Sequence, residues 1–337
     1  PTSSLYDLAA RVFASYQVML REHFRCVEPI ISYSNRFYGG SIQPLRVPRA
    51  SERLDPPLVD IYLPTGRCSR RNINEMEARV ICEEIQAILA DPKMAGRTLG
   101  VVSLLGMEQA KHIDETVRTA CDAAELLNRR FECGDARTFQ GSERDLMFLS
   151  LVADSNNHHA LSGNSAEQRF NVAASRARDR MVLVRSVELS ELSTADLRRS
   201  LLEHFQMPVT SIEAPSDLIA LCESGFEREV FGRLMAAGYR TRPQVKVGAY
   251  RIDMVVEGAD ARRLAIELDG NDFHGPARWR SDVGRQRILE RAGWTFWRCC
   301  ASTWTLNKEA VFSELCDTLR SYGIEPLGPL SSMPLLV

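Results

Sequence analysis

Hydrophobic and polar positions along the chain fall into two regimes. Up to about residue 205, short runs that are apolar throughout alternate with longer amphipathic stretches. The apolar runs are "RTLGVVSLLG" (97–106), "DLMFLSLV" (145–152) and "DRMVLVRS" (179–186). Strands without a polar face are covered by helices on both sides, so these runs predict a parallel sheet. "NINEMEARVICEEIQAILAD" predicts a helix opened by Asn74, with Glu77 three residues on in the capping-box position. "MEQAKHIDETVRTACDAAELLNRR" (107–130) predicts one long amphipathic helix.

The second regime opens with a helix-like stretch, "LIALCESGFEREVFGRLMAAGY", ended by Gly238. Strand-like runs follow at 243–248, 250–256 and 263–268, then a helix over about 277–292, the strand "WTFWRCC", and a helix over 307–322. That order predicts an α/β sandwich too small to be doubly wound. Between the regimes, "QMPVTSIEAPSDL" (206–218) carries two prolines and small polar residues and reads as a linker. The expected domains are therefore 1–205 and 218–337, joined by 206–217.

Composition narrows the function classes. With 337 residues, two domains are the natural expectation, and 45% hydrophobic with 26% charged residues is ordinary for a soluble globular chain. Net charge is −2, so any nucleic-acid surface must be local. Nine cysteines with no CxxC pair argue against a zinc ribbon and a secreted disulfide framework, and for free thiols in a cytoplasm. No apolar run approaches the ~20 residues of a membrane span, and no signal peptide is visible, so no membrane partner is expected. His158 and His159 stand in the polar loop 153–168 with no acid or cysteine at ligand spacing, and read as plain loop.

The chemistry concentrates in "YRIDMVVEGADARRLAIELDGNDFH" (250–274). Two otherwise apolar strands carry Asp253, Glu267 and Asp269. Unpaired carboxylates are costly to bury, so three converging acids call for a cation. Glu267 and Asp269 share a strand face, because side chains alternate with period two. If the two strands form a hairpin, all three acids reach one point. Such hard oxygen ligands suit Mg²⁺ or Mn²⁺. Gly270 permits a sharp turn beside them, which brings His274 within reach as a general base or a phosphate contact. Glu227, in "FEREV" on the first helix of this part, is a candidate to join the same cluster. Arg278, Arg280, Arg285 and Arg287 are candidates to hold a phosphate, though a row of arginines is more often a solvated helix face.

"FEREV…GYRTRPQVKVGAYRIDMVV…LAIELDGNDFH…RQRILERAGWTFWRC" resembles the very-short-patch-repair-like endonucleases, a branch of the PD-(D/E)XK superfamily often fused to bacterial helicases. The resemblance spans about 218–320 and implies a metal-dependent phosphodiesterase. It makes Asp253 and Glu267 metal ligands, Asp269 a further acid, His274 the catalytic histidine and Glu227 the helix carboxylate. The superfamily's lysine is absent: Asp269 stands in its place, as in the related repair enzymes.

In the first part, "GDARTFQGSERDLMFLSLV" and "QRFNVAASRARDRMVLV" look like motifs V and VI of superfamily 1 helicases, and "REHFRCVEPIISYSNRFYGGSIQPL" (21–45) is similar to the motif IV region. The resemblance implies that Arg25 and Arg176 contact phosphate, that Gln140, Gly141 and Glu143 belong to the nucleotide site, and that 101–105 and Thr138 line a single-strand path. No GxxxxGK[ST] loop is present, so half of an ATP site is expected here. The other half would lie in a preceding RecA-like domain of the same polypeptide.

The fold class expected is thus α/β, a RecA-like parallel-sheet domain followed by a smaller restriction-endonuclease-like domain. The function expected is that of the C-terminal part of an ATP-dependent DNA helicase-nuclease, with Mg²⁺ or Mn²⁺ in the nuclease, ATP in the full-length protein, and DNA or RNA as partner. Sixteen Lys/Arg against fifteen Asp/Glu in 217–320 predict weak DNA affinity for that part alone. The alternative is a catalytically silent nuclease fold that docks DNA on a helicase.

Overall fold

A computed structural model describes residues 5–49, 52–69, 71–156, 159–207, 218–258, 262–270 and 276–326, with side chains in the helix over 276–291 described from Gly284 onward. In chain order the first part holds α1 (Leu5–Val12), β1 (Glu22–Val27), α2 (Glu28–Asn35), β2 (Gln43–Arg46), β3 (Leu58–Tyr62), α3 (Glu75–Ala90), β4 (Leu99–Ser103), α4 (Met107–Ala120), α5 (Ala123–Asn128), β5 (Glu132–Asp135), β6 (Arg144–Asp154), α6 (Asn164–Ala173), β7 (Ala177–Ser186) and α7 (Leu197–Gln206). The second part holds α8 (Gly225–Ala236), β8 (Arg240–Val247), β9 (Tyr250–Glu257), β10 (Arg263–Asp269), α9 (Pro276–Arg291), β11 (Phe296–Cys300), α10 (Ala301–Leu306) and α11 (Lys308–Ser321).

The fold is α/β, a parallel sheet followed by a smaller mixed sheet. The first sheet has the order β3-β7-β6-β4-β5, and every neighbouring pair is parallel. Its central strands are apolar because both faces are covered: all five residues of β4 are buried. One face packs on α3 and α4 through Ile81, Ile85, Ile113 and Val117. The other packs on α2, α6 and α7 through Ile30, Phe170 and Leu202. The second sheet has the order β11-β10-β9-β8; β8, β9 and β10 are antiparallel, and β11 joins β10 in parallel. Val230 of α8 and Leu315 of α11 cover one face, and Leu289 of α9 with Trp294 the other.

Strands without a run of apolar residues escaped the pattern reading. β5 is "ECGD", and it becomes a strand by pairing with the edge of β4. β1 and β2 form a separate parallel pair beside the main sheet. β2 also touches the second sheet: Leu45 joins the cluster of Val247 and Ile252, and Val47 O accepts from Arg263 Nη1 at 2.7 Å. Gly248 (φ 60) sits where a Cβ would stand 2.9 Å from Leu45 Cδ2 and from Pro44 O, so this turn requires glycine.

Two expected helices are corrected. The stretch 107–130 is two helices, because the chain leaves helical geometry at Cys121 and Asp122 caps α5 by accepting from Glu125 N–H at 2.9 Å. The helix expected from residue 218 begins as a 3-10 turn over Leu218–Leu221, and α8 starts only after Ser224, whose Oγ accepts from Glu227 N–H at 3.1 Å. The capping box at Asn74 is half present. Asn74 Oδ1 accepts from Glu77 N–H at 3.1 Å, but Asn74 N–H donates to Gln109 Oε1 at 2.8 Å. The Glu77 carboxylate turns inward to the sheet instead. There it takes Ser150 Oγ at 2.6 Å and the Val152 N–H at 3.1 Å, where β6 shifts register and Val152 adopts φ 55. Of the expected linker, 208–217 lies outside the described residues, as does His158.

Candidate functional site

The second sheet opens at Asp253. The β8–β9 ladder pairs Pro243 with Met254 and then Val245 with Ile252, passing over Gln244 and Asp253. The β9–β10 ladder stops at Met254↔Ile266, one step short of placing Asp253 opposite Glu267. Asp253 thus lies in a gap of both ladders, and its Oδ2 accepts from Leu268 N–H at 2.7 Å in place of a backbone partner. Glu267 alternates along β10 with Ile266 and Leu268, which belong to the cluster under α8 and α11, so its side chain stands on the α9 face. Asp269 has the same parity two residues on, at the end of β10, 3.9 Å from Arg298.

Glu267 is buried, and its Oε2 is held by Arg285 Nη2 from α9. Among the described residues its Oε1 is buried with no hydrogen-bond partner. Burial pushes the carboxyl up to about 7, against the pull of Arg285 and with a further push from Asp253. Burial raises Asp253 as well; the Leu268 N–H opposes the shift and neighbouring Glu227 adds to it. Glu227 is buried at the start of α8. It accepts from Glu223 N–H at 2.9 Å, Ser224 Oγ at 2.9 Å and Gln244 Nε2 at 2.8 Å.

A carboxylate oxygen that is buried, partnerless and next to a second raised acid fits a hard divalent cation. As they stand, no three His, Cys, Asp or Glu side chains among the described residues converge closely enough to hold a metal ion. His274 lies outside the described residues, as do the side chains of Arg278 and Arg280. Arg287 lines a shallow surface groove with Arg291, away from Glu267.

In the first part, β1, α6 and the start of β6 border a cleft of about 510 Å³ lined by His23, Arg25, Tyr38, Glu143, Asn171 and Arg176 among others. Arg25 Nε meets Glu143 Oε2 at 2.5 Å, and Arg178 stands 3.8 Å from the same carboxylate. Arg176 folds back on the end of α6, donating to Val172 O at 3.0 Å and Ser142 O at 3.3 Å. Burial lowers Arg176, and nearby Arg25 lowers it further. The same two causes depress His23 to about 4. The cleft lining sets two guanidiniums, Arg25 and Arg176, against two acids, Glu143 and Glu22, and Glu22 is also met by Arg291 Nη2 at 2.7 Å. Gln140 and Gly141 (φ 90) lie in the exposed turn before β6, apart from the cleft lining, and Thr138 is exposed near them.

A family model described as AAA domain (AAA_12) matches residues 2–188, more than half of the chain. The chain belongs to the AAA_12 family. A second model, REase_MTES_1575, matches residues 226–319. The AAA_12 chain is therefore a helicase-type domain followed by a restriction-endonuclease-like domain. It is similar to the "Uncharacterized ATP-dependent helicase MG140 homolog" of Mycoplasma pneumoniae, at 25% identity over 204 residues, covering 53% of this chain. It spans 18% of that relative's length. A solved structure, the HK97 bacteriophage large terminase, covers 87% of this chain and 77% of its own at 12% identity and a TM-score of 0.29, too slight a likeness to argue from. Among the described residues no helix of the AAA_12 chain is long and apolar enough to cross a membrane.

Three participants escaped the sequence reading. Tyr38 and His23 line the first cleft, and both lie inside the 21–45 stretch without a distinguishing pattern. Gln244 is an uncharged residue in an ordinary strand, and only the structure connects it to Glu227.

Proposed function

We propose that the second domain, over 218–337, is a metal-dependent phosphodiesterase working on nucleic acid, and that the first, over 1–205, contributes half of an ATP site to a longer helicase-nuclease. The observation that carries the nuclease reading is the partnerless buried Oε1 of Glu267, beside Asp253 in the gap of the two ladders. A protein interior that leaves a carboxylate oxygen without a donor has an unmet need for positive charge.

In this reading Asp253, Glu267 and Asp269 hold Mg²⁺ or Mn²⁺, which when bound neutralises phosphoryl charge and acidifies a water. The chain's own groups do the remainder. The Leu268 N–H holds one oxygen of the Asp253 carboxylate and so fixes it in direction. Glu227, bound on three sides, adds negative field beside Asp253. Arg285 leaves Glu267 for the scissile phosphate when substrate arrives, a bidentate partner for which guanidinium is suited. His274 takes the proton of the attacking water.

For the first domain, Arg25 and Arg176 supply cationic contacts to a nucleotide whose phosphates are held by a preceding RecA-like domain, and Glu143, Gln140 and Gly141 frame the site. Arg25 and Arg176 both line this cleft, and guanidinium is suited to phosphate contacts.

A second reading, a silent nuclease fold that docks DNA, is favoured by one observation: Arg285 already meets Glu267, and no three potential ligands converge among the described residues. Cleavage of single- and double-stranded DNA and RNA by the full chain in Mg²⁺ or Mn²⁺, beside Asp253→Ala and Glu267→Ala, separates the two. Cutting that vanishes in both variants supports the nuclease. No cutting and no bound Mn²⁺ in the unaltered chain supports docking.

A further inference from the structure

We propose that Gln244 is a positioning residue of the nuclease site, holding the Glu227 carboxylate beside Asp253 from a strained point in β8. The inference rests on the nuclease reading above and adds a residue to it.

Three observations converge on this side chain. First, Gln244 adopts φ 52 within a strand, a left-handed conformation that side chains with a Cβ rarely take. Such strain persists where the surroundings over-determine it, and it clusters at functional sites. Second, the strain sits at one step of the ladder. Pro243↔Met254 and Val245↔Ile252 pair normally on either side, and the residue facing Gln244 across the gap is Asp253. The face alternation of β9 breaks at the same step: Ile252 and Val255, three residues apart, share one apolar cluster, while Met254 and Val256 lie in the other. Asp253 keeps the parity of Val255, on the α9 face with Glu267, and the break falls between it and Ile252, at the step that faces Gln244.

Third, the amide that the strain turns inward has a specific acceptor. Gln244 Nε2 donates to Glu227 Oε2 at 2.8 Å, and Gln244 Oε1 lies 3.4 Å from Arg251 Nη1. Glu227 is buried and carries its own field onto Asp253. The amide thus orients one acid against another without neutralising either, which a lysine or arginine in the same place would do. Stability alone gives no reason for the arrangement. Glu227 already accepts from Glu223 N–H and Ser224 Oγ, and glycine at 244 would relieve the backbone.

The test pairs Gln244→Gly with Gln244→Ala in the full chain. Both remove the amide, but only glycine removes the strain. Mn²⁺ affinity is read by calorimetry, the thermal midpoint without metal by melting, and Mn²⁺-dependent DNA cleavage as kcat and KM. The proposal expects both variants to lose Mn²⁺ affinity by about 10- to 100-fold, the range for groups that orient metal ligands. It expects the thermal midpoint of Gln244→Gly to match or exceed that of the unaltered chain, with cleavage falling in kcat rather than KM. Unaltered Mn²⁺ affinity in either variant overturns it. So does a Gln244→Gly chain that melts well below the original, because the strain would then not be held for the site. An unaltered chain that binds no Mn²⁺ overturns this inference and the nuclease reading together. Normal binding by both the original and Gln244→Gly overturns this inference alone.

Discussion

Glu77 in the first domain and Glu267 in the second are both buried glutamates reaching into a sheet, and burial pushes both up to about 7. Their surroundings differ in one respect. Glu77 Oε1 accepts from Asn74 Nδ2 at 3.1 Å and Ser186 Oγ at 3.2 Å, and its Oε2 from Ser150 Oγ at 2.6 Å and Val152 N–H at 3.1 Å. Every donor there is neutral, and both oxygens are occupied. Among the described residues, Glu267 has an arginine on one oxygen and no partner on the other. The first acid ties α3 to the ends of β6 and β7, and its place in the structure is complete. The second has an oxygen without a donor, which in the proposed reading is the place of a ligand. Burial and pKa direction are alike in the two acids; the count of donors is what differs.

The largest consequence is for activity. Glu267→Gln should reduce metal-dependent cleavage by about a hundredfold or more, while Glu77→Gln leaves the cleavage rate per folded molecule unchanged. Equal losses in both would erase the distinction between the two acids. Next in size is stability. Glu77→Ala strips an acceptor from Ser150, Ser186 and the Val152 N–H, and should destabilise the first domain by about 3 kcal/mol in urea unfolding.

The acidity shift gives a third test. Glu267 has a folded pKa of about 7, above its ordinary value, so it favours folding most at low pH, and that contribution is lost as pH rises through about 7. Glu267→Gln removes the titrating group. It should therefore melt higher than the unaltered chain at pH 8, by on the order of 2 kcal/mol, and the advantage should shrink by pH 5. The smallest effect expected is at Arg285. Arg285→Ala frees Glu267 Oε2, so Mn²⁺ should bind more tightly by about threefold in calorimetry, even as cleavage slows for want of a phosphate contact.

The sequence made the core strands legible because β4, β6 and β7 are apolar from end to end, and a parallel sheet follows from that pattern. It concealed β1, β2 and β5, whose residues are mixed and whose strand state comes from pairing with a neighbour. Asn74 and Glu77 matched a helix-start motif, yet only the local half of that motif is present. The Glu77 carboxylate found partners more than seventy residues away at Ser150 and Val152, which spacing along a helix cannot reveal. Asp253, Glu267 and Asp269 stood out as charges in apolar strands. Gln244 did not, because its part depends on a backbone angle and a cross-strand register. In the first domain Arg25, Glu143 and Arg176 meet around one cleft, while Gln140 and Gly141 lie in the turn nearby.

The central claim is that the partnerless Glu267 oxygen is reserved for a divalent cation. It is tested most directly by following the thermal midpoint of the full chain at pH 8 as Mn²⁺ is added, beside Glu267→Gln. A ligand that binds only the folded state raises its stability with concentration. The account predicts that the unaltered chain starts below the variant and climbs with Mn²⁺, while Glu267→Gln barely moves. Mn²⁺ that shifts neither protein, or shifts both alike, would contradict it.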